Sequence, residues 1–405
     1  MTLFIGISEL ATPAGSAPKR GHTQGELSIL QDAAIHVQNG EICWIGPCQN
    51  APTDRDIVDL DNRAVIPGLV DPHSHCVWGG NRLQDFESRI RGIAYEDILR
   101  QGGGIHSTVR QTRQTSTETL ISEGLQRVRH LLQTGVTTLE IKSGYGLDFE
   151  TEMRMLSAIK AMQPQTPVQL VPTLLIHVPP LDRERTAFVT EVIETWIPHV
   201  AQQQLAQSVD VFIEKEAFDT HEAKAILSAA IKSGLTVKLH TNQFCTMGGI
   251  ALACECGALS VDHLEVIGND EILALSKSGV VATLLPGVNV HLGLPKAPAR
   301  QMIEAGIPIA LGTDLNPGSS PLYSGSLTLA LSTRLHRLTA AEALNAMTVN
   351  AACALGLTDR GQLSPGKRAD FVVLDSPNWQ EIAYRLGQSV AAVYSLGKKV
   401  FDVRT

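Results

Sequence analysis

Residues 64–75 read AVIPGLVDPHSH, an apolar run that closes on two histidines. Seven more apolar runs follow along the chain, and segments with helical spacing that end at glycine separate them. In order, they are VTTLEIKSGYG (136–146), VQLVPTLLIHVPP (168–180), VDVFIE (209–214), TVKLH (236–240), ALSVDH (258–263), VVATLLPG (280–287) and PIALGTD (308–314). Such alternation is typical of βα units around a parallel sheet. The eight units predict an α/β protein with a closed (β/α)8 TIM-like barrel.

The two ends of the chain predict a second, smaller sheet. AAIHV (33–37) and ICWIG (42–46) flank Asn39-Gly40, a strong signal for a β-hairpin. Near the other end, ADFVVLD (369–375) and VAAVYSLGKKVFDV (390–403) again predict strands around a turn that contains glycine. We expect residues 1–66 and 360–405 to form one composite β-sandwich domain, and residues 67–359 to form the barrel domain.

Composition and charge narrow the choice of partners. The chain has 405 residues, 43% of them apolar and 18% charged, which is ordinary for a globular protein. A net charge of −8 without a run of lysine or arginine disfavours nucleic acid, and no apolar stretch approaches membrane-spanning length. Seven scattered cysteines favour reduced thiols in the cytoplasm. We therefore expect a small-molecule substrate, and neither a nucleic acid nor a membrane as partner.

Four residues at the ends of predicted strands could bind a metal ion: His73, His75, His240 and Asp314. His73 and His75 point to the same side of an extended chain because they are two residues apart. Taken alone, this pair fits two ordinary exposed or core histidines as well as it fits a metal site. All four residues together lie where parallel barrels build their active sites, and three imidazoles with one carboxylate suit Zn²⁺ or iron. The pattern predicts a metal-dependent hydrolase.

Two further histidines end predicted strands. His263 closes the sixth run and could carry protons beside the ion, although it could also be a core imidazole bonded to backbone. His177 closes the third run, where the prolines that follow could instead place it in an ordinary loop. The segment between His75 and the second run is longer than an ordinary βα connection and is a candidate substrate-covering insertion.

Several strings of the chain resemble a known family in order and over nearly its whole length. They are DPHSHCVWGGNR, GIAYEDI, GGGIHSTV, EIKSGYGL, DVFIE, ALSVDHLE and GTDLNPGSSP. The strings are similar to those of the imidazolonepropionases, the cyclic amidohydrolases of histidine degradation within the amidohydrolase superfamily. The resemblance implies a (β/α)8 barrel with a β-sandwich, one Zn²⁺ or Fe³⁺ ion per subunit, and a homodimer.

The resemblance also implies roles for individual residues. It implies metal ligation by His73, His75, His240 and Asp314, and catalysis by His263, Asp314 and His177. It implies substrate contacts by Arg82, Tyr95, Tyr145, His177, Gln243, Asn316, Gly318 and Ser319. From the residues alone, Arg82 could equally be a surface ion pair, either tyrosine could merely pack, and Asn316 and Ser319 could cap a helix.

The reaction that the resemblance implies is hydrolysis of the ring amide of 4-imidazolone-5-propanoate to N-formimidoyl-L-glutamate. Arg82 would bind the propionate, Asp314 and His263 would accept a proton from activated water, and His177 would help to stabilise the oxyanion. Gln243 stands where much of the family has Glu, and its amide can hydrogen-bond but cannot act as a base. The alternatives are an amidohydrolase that deaminates a purine or pterin ring, a binding protein, and a module whose ion is purely structural.

Overall fold

The computed structural model describes residues 1–404, apart from the side chains of Tyr95, Glu96 and Leu99. The strands are β1 Thr2–Pro13, β2 Leu27–Gln38, β3 Glu41–Pro47, β4 Ile57–Pro67, β5 Leu69–Asp71, β6 Val136–Lys142, β7 Gln169–Ile176, β8 Ser208–Ile213, β9 Thr236–Thr241, β10 Ser260–His263, β11 Val281–Leu284, β12 Ile309–Leu311, β13 Phe371–Leu374, β14 Val390–Ser395 and β15 Lys398–Asp402.

The helices are α1 Leu83–Ile90, α2 Tyr95–Arg100, α3 Ile105–Gln114, α4 Thr117–Gln133, α5 Phe149–Met162, α6 Arg185–Glu191, α7 Ile197–Gln203, α8 Thr220–Lys232, α9 Gly249–Cys256, α10 Asn269–Ser276, α11 Pro286–Leu292, α12 Ala299–Glu304, α13 Gly325–Leu335, α14 Ala340–Ala346, α15 Val349–Ala354 and α16 Glu381–Tyr384. A π-helical turn joins α6 to α7. Within residues 1–404, no helix combines the length and the apolar character needed to cross a membrane.

The eight predicted barrel strands pair in chain order, β5 to β12, and every pair is parallel. The circle closes just beyond β5 and β12. There Asp314 N–H donates to the His73 carbonyl and His75 N–H donates to the Leu315 carbonyl, each at 2.9 Å. Inside this junction, Thr313 Oγ1 donates to Asp71 Oδ2 at 2.6 Å. The predicted (β/α)8 barrel is confirmed.

Side-chain alternation separates two environments along the barrel strands. In β9, Val237 and Leu239 pack in the main apolar core, whereas Lys238 and His240 occupy the alternate positions. Leu139 of β6 likewise joins that core together with apolar residues of α4 and α5. Successive residues of a strand face opposite sides, so the helix-covered faces are apolar and the barrel interior is free to hold polar groups.

The second sheet combines strands from both ends of the chain in the order β15-β14-β13-β4-β1-β2-β3. The predicted hairpin turn at Asn39 and Gly40 is present, with φ angles of 52° and 84°. β13 pairs antiparallel with β4, and this pairing joins the two chain ends.

The small sheet curls around a core of its own. Phe371 stacks on Tyr394 with ring centroids 4.5 Å apart, and Phe4 meets Phe371 edge-on at 5.1 Å. The β3 edge also bonds to the segment before β13, where Ile42 N–H donates to the Lys367 carbonyl at 2.9 Å. The sheet therefore packs as a small sandwich, while the domain boundaries after residues 66 and 359 stay a prediction.

Candidate active site

Three histidines and one aspartate meet at the C-terminal ends of the barrel strands. His73 and His75 follow β5, His240 lies in β9, and Asp314 follows β12. Asp314 Oδ1 is 3.3 Å from His73 Nε2 and 3.2 Å from His75 Nε2. The three histidines each offer a nitrogen within 4.8 Å of the others, and all four residues are buried. The structure thus brings together the four residues that the sequence suggests as metal ligands.

The donor atoms fit a metal ion. His73 Nε2 and His240 Nε2 are buried atoms that make no hydrogen bond, and His75 turns its Nε2 to the same Asp314 oxygen as His73. Buried polar atoms are normally satisfied, so two imidazole nitrogens without a hydrogen bond in this cluster need an explanation. Three imidazoles with one carboxylate form a donor set for Zn²⁺ or iron, and an ion bound there would satisfy them.

Two buried carboxylates hold the rings of the candidate ligands. His73 Nδ1 is 2.7 Å from Asp262 Oδ2, and His240 Nδ1 is 3.0 Å from Asp210 Oδ2. A carboxylate at Nδ1 keeps the proton there and leaves Nε2 available to a metal. The sequence analysis missed both aspartates. Their signal was a charged residue inside an otherwise apolar barrel strand, in SVDH and VDVFIE.

A network of buried charges lies beneath these carboxylates. Lys142 Nζ is 2.7 Å from Asp210 Oδ2 and 2.9 Å from Glu140 Oε2. Lys238 Nζ is 2.8 Å from Glu140 Oε2 and donates to the Pro72 carbonyl at 2.7 Å. All these side chains are fully buried, so each charge depends on its partners. The sequence analysis missed this network too, although Glu140 and Lys142 are two residues apart and so share the inner face of β6.

His263 stands beside the candidate ligands on an unusual backbone. Its ring centroid is 5.8 Å from that of His73 and 5.4 Å from that of His240. His263 and Leu264 both have positive φ, at 89° and 72°. Non-glycine residues are held in such conformations only where their surroundings enforce them, commonly at functional sites. His263 Nδ1 also lies 3.5 Å from a Glu265 carboxylate oxygen, a partner for a charged imidazole.

His177 and Tyr145 line one side of the site. The His177 ring lies 6.1 Å from the His75 ring and 5.6 Å from the Tyr145 ring. Its Nδ1 is 3.2 Å from the Gly144 carbonyl, an acceptor, so the proton belongs on Nδ1. Burial, and then the charge of nearby His75, lowers the pKa of His177 to about 3. A neutral ring with this tautomer presents Nε2 as an acceptor, whereas the expected oxyanion-stabilising role, which stays a prediction, would need a proton there.

The loop after β12 holds Asp314 in place. Ser319 Oγ donates to Asp314 Oδ2 at 3.2 Å, which fixes the orientation of the carboxylate. Asn316 Nδ2 donates to Ser319 Oγ at 2.7 Å, and Asn316 Oδ1 accepts the backbone N–H groups of Gly318 and Ser319 at 2.8 Å each. The asparagine therefore closes a turn of its own rather than capping α13, whose N-cap is Ser324.

Arg82 reaches the same rim from the start of α1. Its Nε bonds Asp85, and its Nη1 donates to Thr108 Oγ1 at 3.3 Å. A Cβ on Gly318 would lie 3.4 Å from Arg82 Nη1, so the Asp314 loop passes close to the guanidinium. Asp85 also accepts the Gly104 N–H at 2.9 Å and so ties the Gly102–Gly104 turn to Arg82. The sequence analysis missed Asp85.

Gln243 and Tyr95 complete the set of expected contacts. Gln243 is buried three residues after His240. The loop that carries it is held by Glu214, whose Oε2 accepts the N–H groups of Phe244 at 2.9 Å and of Cys245 at 3.3 Å. The side chain of Tyr95 lies outside the described residues, so the structure does not test its expected contact.

This barrel with a histidine and aspartate centre at its C-terminal rim defines the chain as an amidohydrolase. The model of the Amidohydrolase family matches residues 95–400. Imidazolonepropionase of Deinococcus deserti is 55% identical over 400 residues, covering 98% of this chain and 99% of that protein. Imidazolonepropionase of Caldanaerobacter subterraneus is 40% identical, covering 95% and 94%. The chain belongs to the imidazolonepropionase family and is a hydrolase that acts on cyclic amides.

Solved structures share the fold at much lower identity. Guanine deaminase of E. coli superposes with a TM-score of 0.72 at 16% identity, covering all of both chains. Atrazine chlorohydrolase TrzN from Arthrobacter aurescens TC1, complexed with zinc, gives a TM-score of 0.73 at 14% identity, covering 99% of this chain and 95% of that one. These similarities concern the fold alone. The family resemblance of the sequence is confirmed, and the relatives do not support the alternative of a ring deaminase.

Proposed function

We propose that this chain hydrolyses the ring amide of 4-imidazolone-5-propanoate to N-formimidoyl-L-glutamate, as a step of histidine degradation. The observation that carries the proposal is the buried cluster of His73, His75, His240 and Asp314, in which two imidazole nitrogens make no hydrogen bond, with the Arg82 guanidinium near the same loop. The cluster suits hydrolysis of an amide, and the guanidinium suits a substrate that carries a carboxylate tail. Membership of the family supports this pairing.

Arg82 and Tyr145 would bind the propionate. Asp85 and Thr108 each occupy one N–H of the guanidinium and fix its plane, so three of its five N–H groups remain for a carboxylate. Burial raises the pKa of Tyr145, so its phenol keeps its proton and can donate a hydrogen bond to the same carboxylate.

His177 and Gln243 would orient the ring. With its proton on Nδ1, His177 can accept a hydrogen bond from a ring N–H through Nε2. Gln243 would offer both a donor and an acceptor to the other ring edge. Asn316, Gly318 and Ser319 would close the side of the pocket next to Asp314, and we keep Tyr95 as a proposed contact from the family pattern.

His73, His75, His240 and Asp314 would hold one Zn²⁺ or Fe³⁺ ion. When bound, such an ion supplies a nucleophilic water at neutral pH and polarises a carbonyl oxygen. Asp314 and His263 would take the proton from the attacking water and deliver it to the departing ring nitrogen, so the C–N bond of the lactam breaks and the carbonyl carbon becomes a carboxylate. The Ser319 hydroxyl would keep the Asp314 carboxylate turned toward this transfer.

The test is a direct assay with protein of known metal content. Freshly generated 4-imidazolone-5-propanoate should lose its ultraviolet absorbance only with metal-loaded protein, and N-formimidoyl-L-glutamate should accumulate in step. A chelated sample is the control. If fully loaded protein leaves the substrate intact, the proposed substrate is rejected.

We further propose that the enzyme works as a homodimer in the cytoplasm with one ion per subunit. Family membership supports the dimer and the single ion, and the seven cysteines, each of which is a free thiol, support the cytoplasm. Metal analysis of the purified protein would test the number of ions per subunit, and its mass in solution would test the number of subunits. A mass of one chain, or two ions per chain, would contradict the proposal.

A further inference from the structure

Outside the barrel, a cysteine and a histidine of the small sheet line up with an aspartate of the loop before β4. Cys43 Sγ is 3.3 Å from His36 Nδ1, and His36 Nε2 is 2.7 Å from Asp54 Oδ2. We propose that Cys43 is an activated thiol, at which small disulfides modify the protein. Neither the proposed hydrolysis nor its residues require this cluster, so the inference stands apart from the proposed function.

A β-bulge places the thiol. His36 pairs with Trp44 and Val37 pairs with Ile42, so Cys43 is an extra residue on β3 opposite this pair. Bulges re-aim a side chain relative to the regular pleat, and this one brings the thiol to the imidazole. Because Cys43 is exposed, a small molecule can reach the sulfur.

The histidine is held in the tautomer that a base needs. His36 is 8% exposed, and its Nε2 faces the Asp54 carboxylate, an acceptor. The backbone N–H groups of Arg55 and Asp56 donate to the other Asp54 oxygen at 2.6 Å and 3.2 Å. The His36 hydrogen bond, followed by that of the Asp56 N–H, lowers the pKa of Asp54, which keeps the carboxylate charged. The ring proton therefore sits on Nε2, and the Nδ1 lone pair faces the thiol.

This arrangement supports thiol–disulfide exchange. The thiol proton moves to His36 Nδ1, and Asp54 stabilises the imidazolium that results. The thiolate attacks one sulfur of a small disulfide, a new S–S bond forms to Cys43, and the other half leaves as a thiolate that takes up a proton. The disulfide is the oxidant, and no other reactant is needed. The sulfur also lies 3.2 Å from the His36 carbonyl, which can hold the thiol proton but cannot remove it.

The test compares rates of modification at Cys43 in the full-length protein. Oxidised glutathione and dipyridyl disulfide serve as probes at neutral pH, and mass spectrometry of peptides assigns the modified thiol. An ordinary thiol is only about 3% thiolate at pH 7, and the gain from full ionisation is partly offset because a more acidic thiol is a weaker nucleophile. We therefore expect Cys43 to react about three- to tenfold faster than an ordinary exposed thiol. Asp54→Asn and His36→Gln should remove that advantage at Cys43.

The matched controls separate activation from accessibility. Cys48→Ser alters a partly buried thiol of the same region and should leave the Cys43 rate unchanged. Cys43→Ser should leave the hydrolase activity unchanged, because Cys43 lies on the small sheet. The proposal is overturned if Cys43 reacts at the same rate in the protein without substitutions and in the Asp54→Asn variant. If His36→Gln does not fold, the Asp54→Asn comparison alone decides.

Discussion

His263 offers the most direct test of the proton transfer that we propose. Its ring centroid lies within 6 Å of those of His73 and His240, but His263 is not itself one of the candidate ligands. General acid–base help is typically worth about 10²–10⁴ in rate, so His263→Asn should lower kcat by about that factor and leave KM nearly unchanged. Steady-state kinetics on protein with matched metal content would measure both constants. Near-normal turnover would remove His263 from this role.

Arg82 should act on binding rather than on the chemical step. A charge-assisted hydrogen bond contributes about 1.5–3 kcal/mol, so Arg82→Gln should raise KM by about 10- to 100-fold with a smaller effect on kcat. The control is Arg91→Gln, which removes a guanidinium that is 75% exposed at the end of the same helix. If both variants keep the original KM, the propionate binds elsewhere.

His177 gives a pH test. Its pKa is lowered to about 3, so the ring stays neutral from pH 5 upward, and its protonation cannot produce a loss of activity between pH 5 and 8. His177→Gln should therefore keep the acid limb of the kcat/KM profile at the same pH. The lost neutral hydrogen bond should lower kcat/KM about 2- to 10-fold. An acid limb that disappears in His177→Gln would show that the ring is charged in the working enzyme.

At the scale of single strands, the buried charges beneath the site should matter for stability as much as for metal binding. Lys142→Met in β6 removes the buried ammonium that the carboxylates of Glu140 and Asp210 share, and breaking a buried pair costs about 3–5 kcal/mol. Metal affinity should also fall by about 10- to 100-fold, because Asp210 orients His240. Thermal unfolding and competition with a chromophoric chelator would measure the two effects.

The control for Lys142→Met is a lysine whose pair is on the surface. Lys224 bonds Glu255 with more than half of each side chain exposed, so Lys224→Met should leave the thermal midpoint and the metal affinity almost unchanged. Equal losses in the two variants would mean that the buried network has no special role.

The same strands show how far sequence reasoning reaches. The alternation of apolar runs with helical segments was sufficient to predict the barrel. Because parallel strands end on the same rim, it also predicted the meeting point of His73, His240 and Asp314. The network of Glu140, Lys142 and Lys238 was missed because a charge in a strand does not reveal its partners on other strands. The partners of Lys142 depend on how three strands are aligned with one another, and this register cannot be predicted from the sequence of one strand.

Across the whole molecule, the candidate ligands connect the first and last strands of the barrel. His73 and His75 follow β5 whereas Asp314 follows β12, and the described junction between them rests on the two backbone hydrogen bonds and the Asp71–Thr313 contact. An ion held by these residues would tie the junction together, since a ligand stabilises the state that binds it. Removal of the ion should therefore loosen this junction more than any other part of the barrel.

Hydrogen exchange read by mass spectrometry would test this expectation. Chelation should speed amide exchange in residues 69–75 and 309–316, and leave the segments of β7 and β8 on the far side of the circle almost unchanged. Zn²⁺ or iron added back should restore the slow exchange. The variant Asp314→Asn, which keeps the shape of the side chain but weakens the ligand, should exchange rapidly at the junction even with metal present. A uniform increase around the barrel would instead mean that the ion stabilises the fold as a whole and that β5 and β12 are held together by their backbone alone.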